Sequence, residues 1–420
     1  MFLVRMSLIG SLSIIAPLFL QLGSSSISIL IAIAAIIIIG YLARAIFHRT
    51  KIPEALIMIA IGLLLVPIGH LLPGTYVNSL RSLAAIFGDI ALIVIMYNGG
   101  KTIKLGRKLF GNTIGFTLGI FDVILPMVVL SVVMYVWLGW PLVYGAILGA
   151  VLGETSTVIV IPIIKRLKIQ REMYDALVLE TTLNSVFDIL IFTLLIAFTG
   201  GQAFTASGIA SFTIDYISVS IAFGLLAGVL WIAVQNYING AREYLATLAV
   251  AILLFGIVEL FNGAAAISVL IFAIMIGNSK PIAKFFGFKK LKMEGAIARR
   301  AVEHDIEFLL MTFFFVFIGM IAILSLQYFI YAVIITVVLL AIRYLEVWPV
   351  LRSKFSEYRP LTFGLMERGT TVAVLAAILF SIGGTYNDQI FYICFMVIIL
   401  TNIVGSLVIS RTRVKVKPDG

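Results

Sequence analysis

The chain has 420 residues, 62% of them apolar and 12% charged, with a mean hydropathy of +1.16 and 30 basic against 20 acidic side chains, a formal charge of +10. Soluble domains carry about 25% charge, so this composition excludes a cytosolic enzyme and makes lipid the solvent. A single cysteine, Cys394, excludes an intramolecular disulfide, and His48, His70 and His304 are too scattered for a metal-binding motif.

A helix needs roughly 20 apolar residues to cross the hydrocarbon core. In chain order the sequence offers fourteen such stretches: 6–22, 26–47, 53–72, 79–98, 109–137, 142–164, 173–199, 208–235, 244–262, 264–278, 306–325, 327–346, 360–382 and 389–410. Strand-like alternation is absent, so the expected fold is an all-α integral membrane bundle of 13–14 transmembrane helices. The first stretch lies between Met1-Phe2-Leu3-Val4-Arg5 and Gly23-Ser24-Ser25-Ser26. It reads as an additional span within residues 1–25, although the same pattern resembles a signal sequence.

The loops alternate sharply in basic content. Of the 30 basic residues 27 fall on one side, from Arg5 through the run Lys280–Arg300 to the tail over 411–420; Arg81 lies on the other side, and Arg343 and Arg368 fall inside spans. The positive-inside rule makes the basic side cytoplasmic. This predicts a multi-pass protein of the cell membrane, with both termini cytoplasmic if 6–22 crosses. The net charge therefore reports orientation, and no nucleic-acid partner is expected. The Lys280–Arg300 loop should be drawn to anionic lipid.

With 6–22 set aside, residues 26–199 hold six spans, 200–243 a linker helix, and 244–410 six more. Span two runs outward-to-inward and span nine the reverse, so the two sets form inverted repeats, as in many secondary transporters. Their fifth spans share a motif: Gly153-Glu154-Thr155-Ser156-Thr157-Val158-Ile159-Val160 aligns with Glu367-Arg368-Gly369-Thr370-Thr371-Val372-Ala373-Val374. Thr, Ser and Gly clustered beside a charge predict an unwound helix whose freed carbonyls and N–H groups bind ions. A small-residue packing seam is the plainer alternative.

A charge at the bilayer centre costs about 2.5–3.5 kcal/mol on insertion scales, so each one needs a partner or a task. Asp89, Asp122, Glu154, Glu180, Asp188, Arg343, Glu346, Glu367 and Arg368 all fall within spans. Glu180, Asn184 and Asp188 share one helix face, with Ser185 beside them. Glu180 is expected to pair with Arg368 across the halves, against the alternative of a transported-ion site, and Arg343 with Glu346 three residues on. Asp89 and Asp122 read equally as helix–helix contacts or as a proton route.

Several short motifs carry a resemblance. Gly40-Tyr41-Leu42-Ala43, Lys51-Ile52-Pro53-Glu54, Ile61-Gly62-Leu63-Leu64, Phe314-Phe315-Val316-Phe317-Ile318-Gly319 and Arg368-Gly369 together resemble monovalent cation/proton antiporters of the sodium/proton exchanger type, over most of residues 27–410. The resemblance implies thirteen spans in two inverted six-helix repeats, crossed unwound helices at the fifth and twelfth, and a homodimer. Its buried glutamate and arginine match Glu180 and Arg368. Two motifs depart from the family: Thr155-Ser156-Thr157 stands where Thr-Asp-Pro is common, and Asn184-Ser185 where Asn-Asp is typical. The usual ion-binding aspartate is thus missing at 185, and Met311 takes the place of a basic residue.

Glu154, in the predicted unwound segment, is expected to replace that aspartate, with Asp188 second. Thr155, Ser156, Thr157, Asn184 and Ser185 would complete an oxygen shell for Na+, with Arg343, Thr370, Thr371, Asp89 and Asp122 as accessory groups. Burial disfavours the charged form of a carboxylate, so such a group holds a proton or a cation but not both. Competition at one alternating-access site then gives obligatory exchange without a cofactor, electroneutral where one carboxylate competes. The first alternative keeps the fold and changes the cargo to K+ or a proton-coupled organic solute. The second is a cation channel or sensor without countertransport. An enzyme is not expected, because no clustered nucleophile, metal set or phosphate loop occurs.

Overall fold

In hydrocarbon every backbone N–H and C=O must find a partner within the chain, and the apolar stretches answer this as helices. A computed structural model describes residues 34, 37, 38, 40–42, 54–69, 75–103, 112–167, 169–199, 206–235, 241–288 and 296–412. The helices are α1 (Glu54–Gly69), α2 (Thr75–Thr102), α3 (Thr113–Leu138), α4 (Leu142–Val151), α5 (Thr157–Leu167), α6 (Arg171–Thr199), α7 (Ala206–Val234) and α8 (Ala241–Leu260). They continue as α9 (Ala265–Gly277), α10 (Ser279–Phe285), α11 (Ala296–Ile321), α12 (Leu326–Val350), α13 (Arg359–Gly364), α14 (Thr370–Ile382) and α15 (Thr385–Arg411), with a 3₁₀ turn at Ser353–Tyr358.

Among the described residues seven helices are long and apolar enough to cross a bilayer, and α9 with α10 makes an eighth if that bent pair counts as one span. The expected span at 6–22, most of 26–47 and the tail beyond 412 lie outside the described residues. The stretches 142–164 and 360–382 are helix pairs, α4–α5 and α13–α14, interrupted at 152–156 and 365–369, where the aligned motifs predict unwound segments. The basic stretch after 278, expected as loop, begins with the short helix α10, which turns 78° away from α9.

The described helices form two compact units. In one, built from residues up to 80 with Phe308–Ala322, Gly62 of α1 lies against Gly319 of α11, so two of the motif glycines serve close backbone approach. The other, Arg81–Glu307 with Ile323–Gly420, holds all the candidate site residues. Its central helix is α3, which starts where the Asn112 side chain accepts from the Gly115 N–H at 3.1 Å and stops at Gly139, whose φ of 66° closes the helix as a left-handed cap.

α3 is flanked by α4 and α6 at glycine contacts. Gly145 and Gly149 of α4 meet the α3 backbone, and Gly115 and Gly119 of α3 meet the α6 backbone at Ala176 and Glu180. A Cβ at Gly145 would stand 2.7 Å from the Cα of Ser131. Gly145→Leu should therefore cost about 1–3 kcal/mol by overpacking, measured as a lower thermal unfolding midpoint in detergent. Gly256→Leu on α8, where nothing lies within 4 Å, should not lower it.

Candidate functional site

The two interruptions meet. The Ser156 N–H donates to the Glu367 carbonyl at 2.9 Å, joining one unwound segment to the other. Gly369 lies so close to the Ser156 side chain that a Cβ there would collide with it. Each break exposes helix ends, and each is served by a charged side chain from the other.

Glu154 serves the start of α14. Its Oε1 accepts from the Thr371 hydroxyl at 2.6 Å and its Oε2 from the Val372 N–H at 3.4 Å, both in the first turn of that helix. Gly369, at the N-cap, has no side chain to offer, so a carboxylate from the other break takes the cap position, where the helix dipole favours negative charge. Arg368 returns the contact. Its guanidinium donates to the carbonyls of Glu154 and Gly153, which follow the end of α4. The segment behind Arg368 is held by α15: Asn402 donates to the Arg368 carbonyl at 2.8 Å, and the Thr401 hydroxyl accepts from the Arg368 N–H at 3.3 Å.

Beside the breaks lies a second set of charges centred on Arg343 of α12. Its Nη1 contacts Asp122 Oδ2 at 2.8 Å, its Nη2 contacts Glu180 Oε1 at 2.5 Å, and Glu346 stands 3.6 Å away; the four side chains are 2% exposed or less. The same guanidinium donates to the carbonyls of Thr362 and Leu365, where α13 gives way to the second break. Asp122 Oδ2 also accepts from the Thr155 hydroxyl at 3.0 Å and the Asn184 amide at 3.3 Å.

This geometry corrects the expected Glu180–Arg368 pair: Glu180 binds Arg343. Sequence spacing places residues along a helix but does not say which guanidinium stands across from it, and carbonyl oxygens already engage Arg368. Arg343 has the expected Glu346 beside it at 3.6 Å and also gathers Asp122 of α3 and Glu180 of α6. Asp122, read as ambiguous, belongs to this buried set. Asp89 does not; it is half-buried on α2, with Glu259 of α8 as its charged neighbour.

The expected oxygen shell is divided. Thr155 turns to Asp122, and the Thr157 hydroxyl donates to the Thr181 carbonyl at 3.2 Å. Ser185 Oγ lies 3.1 Å from Glu154 Oε1 and 2.9 Å from the Thr181 carbonyl, so its one proton serves either. Ser156 packs on Gly369, and Thr370, buried, opens α14. Asp188 is different from all of these. It is fully buried beside the first break, with Oδ1 2.7 Å from where a Cβ on Gly153 would stand, and neither carboxylate oxygen has a hydrogen-bond partner among the described residues. On the same face of α6, Asn184 Oδ1 and Glu180 Oε2 are likewise buried and unpartnered.

Thr401, Asn402 and Thr362 escaped sequence reasoning. The adjacent polar pair in the otherwise apolar stretch 389–410 was the available signal. Removing Arg343 would leave Asp122 and Glu180 buried without a counter-ion, so Arg343→Met should destabilise by about 3–5 kcal/mol. A thermal unfolding midpoint well below that of wild type in detergent would confirm it, and an unchanged midpoint would refute it.

A family model described as "Sodium/hydrogen exchanger, transmembrane" matches residues 12–415. The chain is 25% identical over 354 residues to an uncharacterised Na+/H+ antiporter of Schizosaccharomyces pombe, covering 78% of this chain and 60% of the relative's length. In fold it is similar to the sodium proton antiporter MjNhaP1 from Methanocaldococcus jannaschii at pH 8, with a TM-score of 0.73 and 19% identity over 91% of this chain and 97% of that one. A second structure of MjNhaP1, from an electron-microscopy map, gives a TM-score of 0.69 and 21% identity over 94% and 100%.

Proposed function

The chain belongs to the sodium/hydrogen exchanger transmembrane family, and from that premise we propose that it exchanges protons for a monovalent cation, sodium first, by alternating access. The observation that carries the proposal is Asp188, a fully buried carboxylate with no hydrogen-bond donor on either oxygen. An isolated buried carboxylate is too costly to remain bare. It takes either a proton or a cation, and a site that must hold one or the other as it is exposed in turn to each side exchanges them.

Asp188 thereby replaces Glu154 as the primary exchanging group. Glu154 has a hydroxyl and a backbone N–H at a helix N-terminus as hydrogen-bond partners, support that Asp188 lacks among the described residues. Asp188 and the Asn184 amide oxygen, one turn apart on α6, offer hard oxygen ligands suited to a small cation. With one carboxylate competing, one proton is exchanged for one cation and no net charge moves. The proposed setting is the cell membrane, with the basic side cytoplasmic and, as the resemblance implies, a homodimer.

Proton movement in proteoliposomes under an imposed pH gradient, with sodium, lithium, potassium or no added cation, tests this reading. Wild type should show cation-dependent proton movement, and Asp188→Asn should abolish it. Glu154→Gln should keep coupling with an apparent cation affinity roughly tenfold weaker, because one nearby charge is lost. Full transport by Asp188→Asn would refute the assignment.

Competition also sets the sign of the pH dependence. Protons and cations contend for one group, so the apparent KM for the cation should rise as pH falls, by up to about tenfold per pH unit by mass action. Clamping the membrane potential should leave the rate unchanged. A rate that follows the potential would show that more than one proton moves per cation.

A further inference from the structure

The basic end of α7, α9 and α10 carries a feature that ion exchange does not use. α7 and α9 approach closely at two glycines: a Cβ on Gly224 would lie 2.7 Å from the Ser268 carbonyl, and one on Gly228 2.7 Å from the Met275 Cβ. Beyond this contact α10 turns aside by 78°, and a cleft of about 480 Å³ opens, lined by Leu225, Val229, Met275, Ile282, Phe285 and Phe286 among others. Its α9 wall is fixed from behind, where the Asn278 amide donates to the carbonyls of Ile103 and Ile274 at 2.8 Å each.

The chemistry around the cleft has two parts. The lining is apolar, and Phe285, 84% exposed, stands edge-on to Phe286 at 5.2 Å between ring centres. Lys280 and Lys284, one turn apart on α10 and both exposed, adjoin the lining residues Pro281 and Phe285 in sequence, and among the described residues no acidic side chain lines the cleft. α9 is apolar, and the 78° turn directs α10 away from its axis, the course of a helix lying at a membrane surface. In that position, aromatic and aliphatic side chains reach the acyl region while lysine ammonium groups stay among the headgroups.

We propose that this elbow is a binding site for one anionic phospholipid, with an acyl chain in the α7–α9–α10 cleft and the phosphate beside Lys280 and Lys284. The volume lies within the range of small-molecule sites, and the charge of the two lysines complements a lipid phosphate. Bulk lipid contact needs no such pairing of a walled groove with two cations.

Native mass spectrometry of the full chain, titrated with phosphatidylglycerol or phosphatidylcholine of identical acyl chains, tests the site without reference to transport. Wild type should retain phosphatidylglycerol about tenfold better, from two lysines each interacting with anionic lipid. Lys280→Gln with Lys284→Gln should retain both lipids equally, and Val229→Trp, which fills the cleft, should retain less of each. Equal retention by wild type, a preference that survives loss of both lysines, or unaltered retention by Val229→Trp would overturn the proposal. So would displacement of the lipid by glycerol phosphate, which carries the charge without the chains.

Discussion

The structure turns on a reciprocal exchange of helix caps. A helix broken inside a membrane leaves N–H and C=O groups that water cannot reach, and two such breaks side by side double that problem. Here each break supplies what the other lacks. Glu154 brings negative charge to the first turn of α14, and Arg368 brings positive charge to the carbonyls after α4. Each side chain follows the sign that its helix end requires. The backbone bond from Ser156 to Glu367 and the glycine at 369 hold the two segments close enough for both contacts.

That arrangement divides the buried charges by how far each is committed. Arg343 is saturated by carboxylates and carbonyls from α3, α6 and the end of α13, which ties three helices to the second break. Buried ion pairs of this kind contribute little net stability over an apolar core, yet breaking one is costly, so their main effect is positional. Asp188 combines complete burial beside the first break with a carboxylate free of hydrogen-bond partners among the described residues, as Glu367 does in the second break. Asp188 differs from Glu367 in lying on the α6 face that also carries the unpartnered Asn184 Oδ1 and Glu180 Oε2.

The sequence made the framework legible and the pairing illegible. Apolar runs of the right length marked the helices, and the aligned segments around Glu154 and Arg368 marked where two of them break, because Thr, Ser and Gly clustered beside a charge are poor formers of a continuous helix in lipid. The same text could not say that Glu180 faces Arg343. Residues 180 and 343 lie 163 apart, and periodicity along one helix carries no information about its rotation against another. The support around Glu154 was hidden for a related reason. Position in the unwound segment was visible, but the donors that support Glu154 belong to α14, in the other half of the chain.

The serine at 185 fits the glutamate at 154. Ser185 Oγ lies 3.1 Å from Glu154 Oε1, so an aspartate at 185 would press a second carboxylate against the first. Like charges at that separation in a medium of low dielectric constant cannot both remain ionised without a cation between them. A serine there donates or stands neutral, and the carboxylate proposed to exchange, Asp188, lies one turn along the same helix, about 4.5 Å farther along its axis. Gly153 makes room for it, since a side chain at that position would occupy the space of Asp188 Oδ1. Glu154, Ser185, Asp188 and Gly153 thus form one contiguous set beside the first break.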